Sequence, residues 1–398
     1  MCIPPFRSLT FAGSKAYLGS ARGAEWHKWD LHVHSPASAQ QTFGDTQDDQ
    51  TWAHYITALS KLPGEIKAVG INDYFGIEGY RRVLEAHKKG FLQNLDLILP
   101  VVELRLASFV GSNDLKKLNF HVVFSDELSP DQIEEFFLRQ LNVELQLEDG
   151  EPWYGCVGTK SGLTELGSAL KAATPDSVRS NHSVLEVGFA SAAVDLGTVR
   201  NAIGQSVFQD RVLTALGVGE WSQMRWDGAG AAQKRDAIER VDFVFTAAPT
   251  IAQYQMRREQ LVAAGVNSRL VDASDAHHYV TSTEPNRLGE TMTWMKSDLS
   301  FQGLRRALRR FNDRVFVGNV PPKLERVRRN KTKYIKSLTV RKKEGSSLKE
   351  TWFDTQIELN HDLVAVIGNQ GSGKSALRKL CTTREFGSKR MVSGMCDG

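Results

Sequence analysis

Short apolar runs alternate with helical stretches between residues 29 and 275, and this alternation constrains the fold more than any other feature of the sequence. Apolar residues recur at helical spacing in residues 56–62, 131–141 and 251–265. The runs that read as buried strands are residues 66–71, 95–104, 118–124, 241–247 and 268–274. Because strands and helices alternate, the order predicts an α/β fold with a largely parallel sheet, either open or closed as a barrel. Residues 145–240 are less regular, and we expect an insertion or the middle units of a barrel there.

Polar residues that are able to bind metal lie within or just after these strands. His32 and His34 stand at i and i+2 in WDLHVH, so on a strand both imidazoles point to one face and can reach one cation. Asp275 and His277 repeat this spacing after residues 268–274. The other members of the set are Asp73, Glu103 and His121. Since the carboxyl ends of parallel strands meet at one edge of a sheet, we predict a metal site at that edge.

Each of these residues also has an ordinary structural explanation. Asp73 could cap a helix, Glu103 could form an ion pair at the rim, and His121 could be a packed core histidine. To account for the whole set without a metal, separate structural roles would have to coincide at corresponding ends of several strands. The set as a whole therefore favours metal binding over separate structural roles.

In order and approximate spacing, these segments resemble the motifs of the PHP (polymerase and histidinol phosphatase) domain family. The matching segments are WDLHVHSPAS, GINDY, VVEL, NFHVVF and DASDAHH. The similarity covers roughly residues 27–318. Residues 291–308 also resemble the end of the PHP region in proteins that fuse it to an ATPase of the SMC/RecN kind, and members of that group have been linked to DNA repair and anti-phage defence.

The resemblance implies a distorted (β/α) barrel that holds two or three divalent ions, commonly manganese, zinc or iron, and hydrolyses phosphoesters with a metal-activated water. Carried over by position, the metal ligands would be His32, His34, Glu103, His121, Asp275 and His277. The residues expected to support catalysis are His32, His34, Asp73, Glu103, Asp275 and His277.

Two departures from the family pattern bear on whether the site holds a third ion and whether it hydrolyses phosphoesters. Tyr74 follows Asp73 where the family usually has a histidine, and no histidine directly follows the first motif, where Pro36 stands. His182 is a loosely aligned candidate ligand, and a surface histidine is the alternative. The site would then hold two ions, or be degenerate.

Residues 368–375, GNQGSGKS, match the phosphate-binding loop GxxxxGK[ST], preceded by the apolar run 363–367. The expected ligands of ATP and Mg²⁺ are Gly368, Asn369, Gly371, Ser372, Gly373, Lys374 and Ser375. The segment resembles the amino-terminal lobe of SMC-type ABC ATPases, and a glycine-rich turn without ligand is the alternative. No second nucleotide motif occurs in the 23 residues after Ser375, so we expect a truncated lobe without ATP turnover.

The net charge of +4 conceals a basic stretch. Residues 305–343 contain fifteen Lys or Arg against two acidic residues, an excess of +13, which leaves −9 for the rest of the chain. Such a stretch is either a solvated linker or a contact surface for nucleic acid or polyphosphate.

The composition is that of a globular protein, with 41% hydrophobic and 24% charged residues. The four cysteines form no CxxC pair, and no apolar run approaches membrane length, so we expect a cytoplasmic protein with no membrane partner. The predicted organisation is an extension (1–22), a PHP domain (23–320), a basic linker with a first strand (321–350) and a truncated P-loop lobe (351–398). Further strands are predicted at 334–340, 352–359 and 363–367.

Three functions remain open at this point. The first is a hydrolase of phosphoester bonds in nucleic acid or nucleotides, gated by the ATP-binding module. The second is a small-molecule phosphatase, which would need neither the basic stretch nor the P-loop. The third is a non-catalytic, nucleotide-sensing scaffold with a degenerate site, for which homo-oligomerisation would be the output.

Overall fold

A nine-stranded sheet with helices packed against it organises most of the chain in the computed structural model. The structure describes residues 22–110, 116–175, 181–224, 226, 231–342, 344–347, 355–362, 364–367, 370 and 374–375. The strands of this sheet, in chain order, are β1 (Glu25–His34), β2 (Ile66–Tyr74), β3 (Leu97–Val110), β4 (Lys116–Phe124), β7 (Val212–Leu216), β8 (Phe243–Thr246), β9 (Leu270–Asp272), β10 (Thr293–Ser297) and β11 (Val315–Val317). Their spatial order is β11-β10-β1-β2-β3-β4-β7-β8-β9.

The helices lie between the strands, as the alternating pattern predicted. They are α1 (Asp49–Ser60), α2 (Glu78–Lys88), α3 (Pro130–Phe136), α4 (Lys160–Ala173), α5 (Val184–Ser191), α6 (Leu196–Ile203), α7 (Ala231–Glu239), α8 (Ile251–Ala263), α9 (Phe301–Arg309), α10 (Phe311–Arg314) and α11 (Pro322–Arg329). In the described part of the chain, no helix combines the length and the apolar character that a bilayer crossing requires.

Capping side chains fix where several of these helices begin. Asp48 accepts hydrogen bonds from the first backbone N–H groups of α1. Ser129 and Gln132 form a reciprocal capping box at the start of α3, and Pro130 occupies its first position. Ser300 accepts from the backbone of Gly303 and so begins α9. These caps satisfy N–H groups that have no partner within the helix.

The prediction of an α/β fold with a barrel-like sheet is confirmed, but the sheet is mixed. The pairs β1–β2, β2–β3, β7–β8 and β8–β9 are parallel. Strand β4 is antiparallel to both β3 and β7, and β10–β11 is also antiparallel. His121 therefore does not stand at a carboxyl end with the other candidates. It reaches them because the antiparallel register sets it opposite Glu103.

The sheet is nearly closed, because the chain after β9 returns to β1. Val33 and Ala276 form a parallel bridge. The backbone N–H of His34 donates to the carbonyl of Ala276 at 3.1 Å, and the N–H of Ser274 donates to the Asp30 carboxylate at 3.0 Å. This closure brings the segment with Asp275 and His277 beside the strand with His32 and His34.

Two apolar clusters fill the two faces of the sheet. The enclosed cluster takes alternate residues from most strands, such as Ala68, Leu99 and Val123, together with the apolar side of α9. Leu304 of α9 is fully buried there, and burial of one such side chain contributes about 1.5–3 kcal/mol. The larger outer cluster lies between the sheet and the surrounding helices. One face of the barrel-like sheet is thus packed with apolar side chains beneath the polar site described below.

A β-bulge in β1 determines which way its histidines point. Asp30 pairs with Val69 and Val33 pairs with Ile71, so β1 uses one more residue than β2 between these pairs. Leu31 packs in the enclosed cluster whereas Val33 packs in the outer one. The extra residue turns His32 and His34 toward the enclosed side. A side chain at Gly70 would meet the Leu31 carbonyl at 2.6 Å, which explains glycine opposite the bulge.

Residues 145–240 combine the two arrangements expected for them, an insertion and a middle part of the barrel. One barrel strand, β7, belongs to the main sheet. The hairpin of β5 (Asn142–Gln146) and β6 (Pro152–Cys156) forms a separate two-stranded sheet, followed by α4, α5 and α6. The segment thus supplies one strand to the main sheet and carries the remainder as an insertion.

The described residues fall into two compact units, one at Trp26–Pro321 and one made of residues 22–25 with the described part of Pro322–Gly398. In the second unit, β12 (Ser337–Val340) and β13 (Thr355–Glu358) form an antiparallel pair. The Asn360 side chain donates to the backbone carbonyl of Arg22 at 2.8 Å, which ties residue 22 to this unit.

The prediction of a strand at residues 363–367 is wrong for residues 364–367, the four that the structure describes. Residues 364–367 lie in no strand, and Ile367 is 90% exposed. An apolar run becomes a strand only when neighbouring strands satisfy its backbone, and no described strand pairs with these residues.

Candidate metal centre

Four side-chain atoms from three segments converge at the centre of the site. The Nε2 atoms of His32 and His34 lie 3.1 Å apart. Glu103 Oε2 lies 3.3 Å from the first and 3.4 Å from the second. Asp275 Oδ1 lies 3.0 Å from the first and 3.6 Å from the second. We call these four atoms the cage.

The spacing of the cage atoms matches that of ligands around one ion. Ligands about 2.1 Å from a tetrahedral ion stand about 3.4 Å apart, and those of an octahedral ion about 3.0 Å apart. The five cage separations given above span 3.0–3.6 Å. His32, His34 and Glu103 form a buried group that could hold a divalent metal ion.

A second potential metal group shares His34 with the first. It consists of His34, Asp275 and His277. The His277 Nε2 atom lies 3.4 Å from Asp275 Oδ1, and its ring stacks on that of His34 with centroids 4.1 Å apart. Since His34 offers one free ring nitrogen to the site, only one of two ions could use it. Asp275, in contrast, lies between the two groups, because its Oδ1 atom is within 3.6 Å of the Nε2 atoms of His32, His34 and His277.

Hydrogen bonds at the far side of two rings fix how they face the cage. The His34 Nδ1 atom lies 2.9 Å from the Ser38 hydroxyl oxygen. The His277 Nδ1 atom lies 2.8 Å from the carbonyl oxygen of Gln40, and it donates to that oxygen. Such outer partners set the tautomer and the orientation of metal-binding imidazoles, and here they leave both Nε2 atoms for the site.

His121 is the clearest sign that the protein atoms alone do not satisfy this site. Its ring is fully buried, and among the described residues neither of its nitrogens has a hydrogen-bond partner. Its Nε2 atom lies 3.4 Å from Glu103 Oε1 without forming a hydrogen bond. An unsatisfied buried polar atom costs about 1–3 kcal/mol, which a metal bond at that nitrogen would offset.

Burial and mutual charge perturb the pKa values of the site strongly. Burial alone would lower the pKa of His32, but the Asp275 and Glu103 carboxylates outweigh it and raise that pKa to about 10. Burial lowers the pKa of His34 to about 4. Burial would raise the pKa of Glu103, but His121 and His32 hold it well below its usual range. The metal-free site is therefore two carboxylates around one protonated imidazole.

The backbone is strained where Asp275 enters the site. Its φ of 48° lies in the left-handed region, which residues other than glycine rarely adopt. Asn286 donates to its outer oxygen Oδ2 at 3.0 Å, which leaves Oδ1 facing the cage. Strain of this kind persists where the surrounding structure enforces it, and it is concentrated at functional sites.

Asp73, predicted to take part in catalysis, lies outside the cage. Its carboxylate accepts hydrogen bonds from the Ser35 hydroxyl at 2.8 Å and from the backbone N–H of Gly79, at the start of α2, at 2.9 Å. Burial raises its pKa to about 6. Asp73 thus joins the end of β1 to the start of α2, which is a role close to the helix cap considered as its structural alternative.

Two amide residues at the site, Asn72 and Asn119, were not predicted from the sequence. Asn72 and Tyr74 share one face of β2, and Asn119 shares a face of β4 with His121. Asn72 and Asn119 donate to the two oxygens of Glu103 at 2.7 Å and 2.6 Å. The Tyr74 ring stacks on that of His34 with centroids 5.2 Å apart. The i, i+2 rule that paired His32 with His34 would also have indicated Asn72, beside Tyr74, instead of Asp73.

The remaining predicted residues either lie away from the cage or are outside the residues that the structure describes. His182 is 74% exposed and lies 3.9 Å from Glu186, outside both metal groups of the described residues. In the P-loop, Lys374 and Ser375 are helical. The rest of the predicted nucleotide ligands, namely Gly368, Asn369, Gly371, Ser372 and Gly373, lie outside the described residues.

Comparison with known proteins adds no family to this picture. No protein-family model matches the chain, and no curated protein matches it. The similarity to PHP domains therefore rests on the motifs quoted above.

Proposed function

We propose that this chain is a metal-dependent hydrolase of phosphoester bonds in nucleic acid or nucleotides, of the PHP type, with an ATP-binding module that gates it. The observation that carries the proposal is the cage, in which His32, His34, Glu103 and Asp275 present buried ligand atoms at ligand spacing. Imidazoles and carboxylates together suit manganese, zinc or iron. Two or three such ions, with ATP and Mg²⁺ at the P-loop, are the proposed cofactors.

The protein's own residues would prepare the site for a reaction at phosphorus. A bound divalent ion supplies a water acidified toward neutral pH and positive charge against the phosphoryl oxygens. Ser38 and Gln40 hold the imidazoles in orientation. The apolar cluster beneath excludes water from the far side of the cage, and Phe245 contacts the ring of His32 there with centroids 5.3 Å apart.

Arg105 is suited to receive an anionic substrate beside the cage. It stands two residues after Glu103 on β3, and its guanidinium lies over the rings of Tyr74 and Phe189, 5.2 Å and 4.3 Å from their centroids. Among the described residues it forms no ion pair with a carboxylate. A guanidinium held flat against aromatic rings keeps its N–H groups available for phosphate. This observation favours a phosphoester substrate over a neutral one.

The test begins with metal content and continues with activity. Protein purified without chelator should contain at least one transition metal ion per chain by elemental analysis. With Mn²⁺ added, it should hydrolyse a chromogenic phosphodiester, and the double variant Asp275→Ala, His277→Ala should not. Hydrolysis at the same rate by wild type and variant would contradict the proposal.

A non-catalytic, nucleotide-sensing scaffold is the second candidate, and one contact favours it. The Tyr74 ring covers that of His34 at the position where the resemblance implies a further imidazole. Metal binding without any phosphodiester or phosphomonoester hydrolysis would support the scaffold. Nucleotide-dependent oligomerisation, measured by light scattering with and without ATP, would then be its expected output.

A further inference from the structure

Asn72 is a neutral amide that lies in contact with the imidazoles and carboxylate of the cage. Its side chain is fully buried on β2. Its Nδ2 atom lies 2.9 Å from His32 Nε2, 3.3 Å from His34 Nε2 and 2.7 Å from Glu103 Oε2. These separations of 2.7–3.3 Å are close to the 3.0–3.6 Å between the cage atoms, so the end of the carboxamide lies where a further ligand would lie.

The other end of the same carboxamide has no partner. Asn72 Oδ1 is buried, and no described residue donates a hydrogen bond to it. The two ends of a carboxamide have nearly the same shape, so a half-turn of the group exchanges oxygen and nitrogen without moving the strand. The carboxamide oxygen of Asn72 is thus buried without a hydrogen bond from any described residue, next to a group of atoms that could hold a cation.

We propose that Asn72 is itself a metal ligand, through its carboxamide oxygen, in a centre formed with His32, His34, Glu103 and Asp275. The inference rests on the proposed metal centre and deepens it. An N–H group facing a divalent ion at ligand distance would be repelled, whereas a carbonyl oxygen is attracted. The half-turn also releases Glu103 Oε2 for the ion, while Asn119 continues to hold Oε1 at 2.6 Å.

A neutral oxygen suits the charge of this site. Glu103 and Asp275 bring two carboxylates to the cage, the number whose charge balances one divalent ion. A carboxamide oxygen would add a fifth bond to such an ion.

The experiment measures Co²⁺ affinity, by competition with a chromophoric chelator, for wild type and four variants purified in the presence of Co²⁺. Asn72→Ala should lose on the order of 10–100-fold in affinity. Asn72→Asp keeps the shape and offers a carboxylate oxygen, so its affinity should stay within a few-fold of wild type or exceed it. Asn119→Ala and Asn119→Asp are the matched controls, because Asn119 donates to the same carboxylate of Glu103 and, among the described residues, forms no hydrogen bond with His32 or His34.

The Asp variants separate a ligand from a hydrogen-bond donor. A donor replaced by Asp loses its N–H and repels Glu103, so Asn119→Asp should bind Co²⁺ at least as weakly as Asn119→Ala. If Asn72→Asp behaves in the same way, Asn72 only positions Glu103 and the inference is overturned, while the metal centre stands. If wild type binds no Co²⁺, the proposed function and the inference both fall. Circular dichroism of each variant identifies loss of folding, and Asn72→Asp decides the question if Asn72→Ala does not fold.

Discussion

Metal binding at this site should release a proton from His32. In the metal-free protein the pKa of His32 is about 10, because Asp275 and Glu103 outweigh the effect of burial. At pH 7 this ring is therefore protonated in nearly all molecules. An ion can bind Nε2 only after that proton leaves.

The expected size of the effect follows from this pKa. Between pH 6 and pH 9 the apparent metal affinity should rise about tenfold per pH unit from His32 alone, equivalent to about 1.4 kcal/mol per unit. His34 adds nothing to this slope, because burial lowers its pKa to about 4 and it is already neutral. His277, whose pKa is raised by Asp275 against the effect of burial, adds at most a second proton if it also binds.

Isothermal titration calorimetry measures the release directly. Zn²⁺ or Mn²⁺ is titrated at pH 7.5 in buffers of different ionisation enthalpy, and the slope of observed heat against that enthalpy counts protons. We expect between one and two protons per ion, and a smaller number for Glu103→Gln, which removes one of the charges on His32. Measurable metal binding with no proton release would refute the protonation state assigned to His32.

The remaining predictions concern stability and substrate binding. Asp73→Asn should lower the free energy of unfolding in urea by about 1–3 kcal/mol, because it weakens buried hydrogen bonds to Ser35 and Gly79, while elemental analysis shows unchanged metal content. Gly79→Ala should cost about 1–3 kcal/mol or more in the same assay, since its Cβ would lie 2.0 Å from the Ser35 hydroxyl oxygen; equal stability would contradict the packing. Arg105→Ala should raise KM for a phosphodiester several-fold with metal content unchanged, and an unchanged KM would exclude phosphate contact. Metal-free protein should lose stability as the pH rises toward 10. The raised pKa of His32 contributes its full stabilisation below about pH 6.5, the pKa of histidine in the unfolded chain, and this contribution is lost as the pH rises through about 10. A urea midpoint that stays constant from pH 8 to 10 would contradict this prediction.

The sequence predicted the elements and most of the residues that meet at the site. Alternating apolar runs located β2, β3, β4, β8 and β9, because strand and helix periodicities are local properties of the chain. The i, i+2 spacing of His32 and His34 predicted that both would face one cation, and their Nε2 atoms lie 3.1 Å apart. Imidazoles and carboxylates are conspicuous in a sequence because few side chains bind metal.

The amides were missed because nothing local distinguishes them. Asn72 and Asn119 are residue types that occur widely in loops and turns, and only their approach to Glu103 gives them a role. Asp73 is the charged residue of the pair, and a carboxylate indicates metal binding in a sequence more strongly than an amide does. Alternation was the better guide, since Asp73 points away from the cage toward Ser35 and Gly79.

By itself, then, the sequence determined the class of fold, the approximate strands and the chemical type of the centre. Only the tertiary structure decided which side chains face each other. The bulge in β1 turns His32 and His34 inward, the antiparallel register sets His121 opposite Glu103, and the bridge from Val33 to Ala276 brings in Asp275. Each of these depends on hydrogen bonds between segments far apart in the chain, and a shift of one residue in any of them would turn the side chains to the other face.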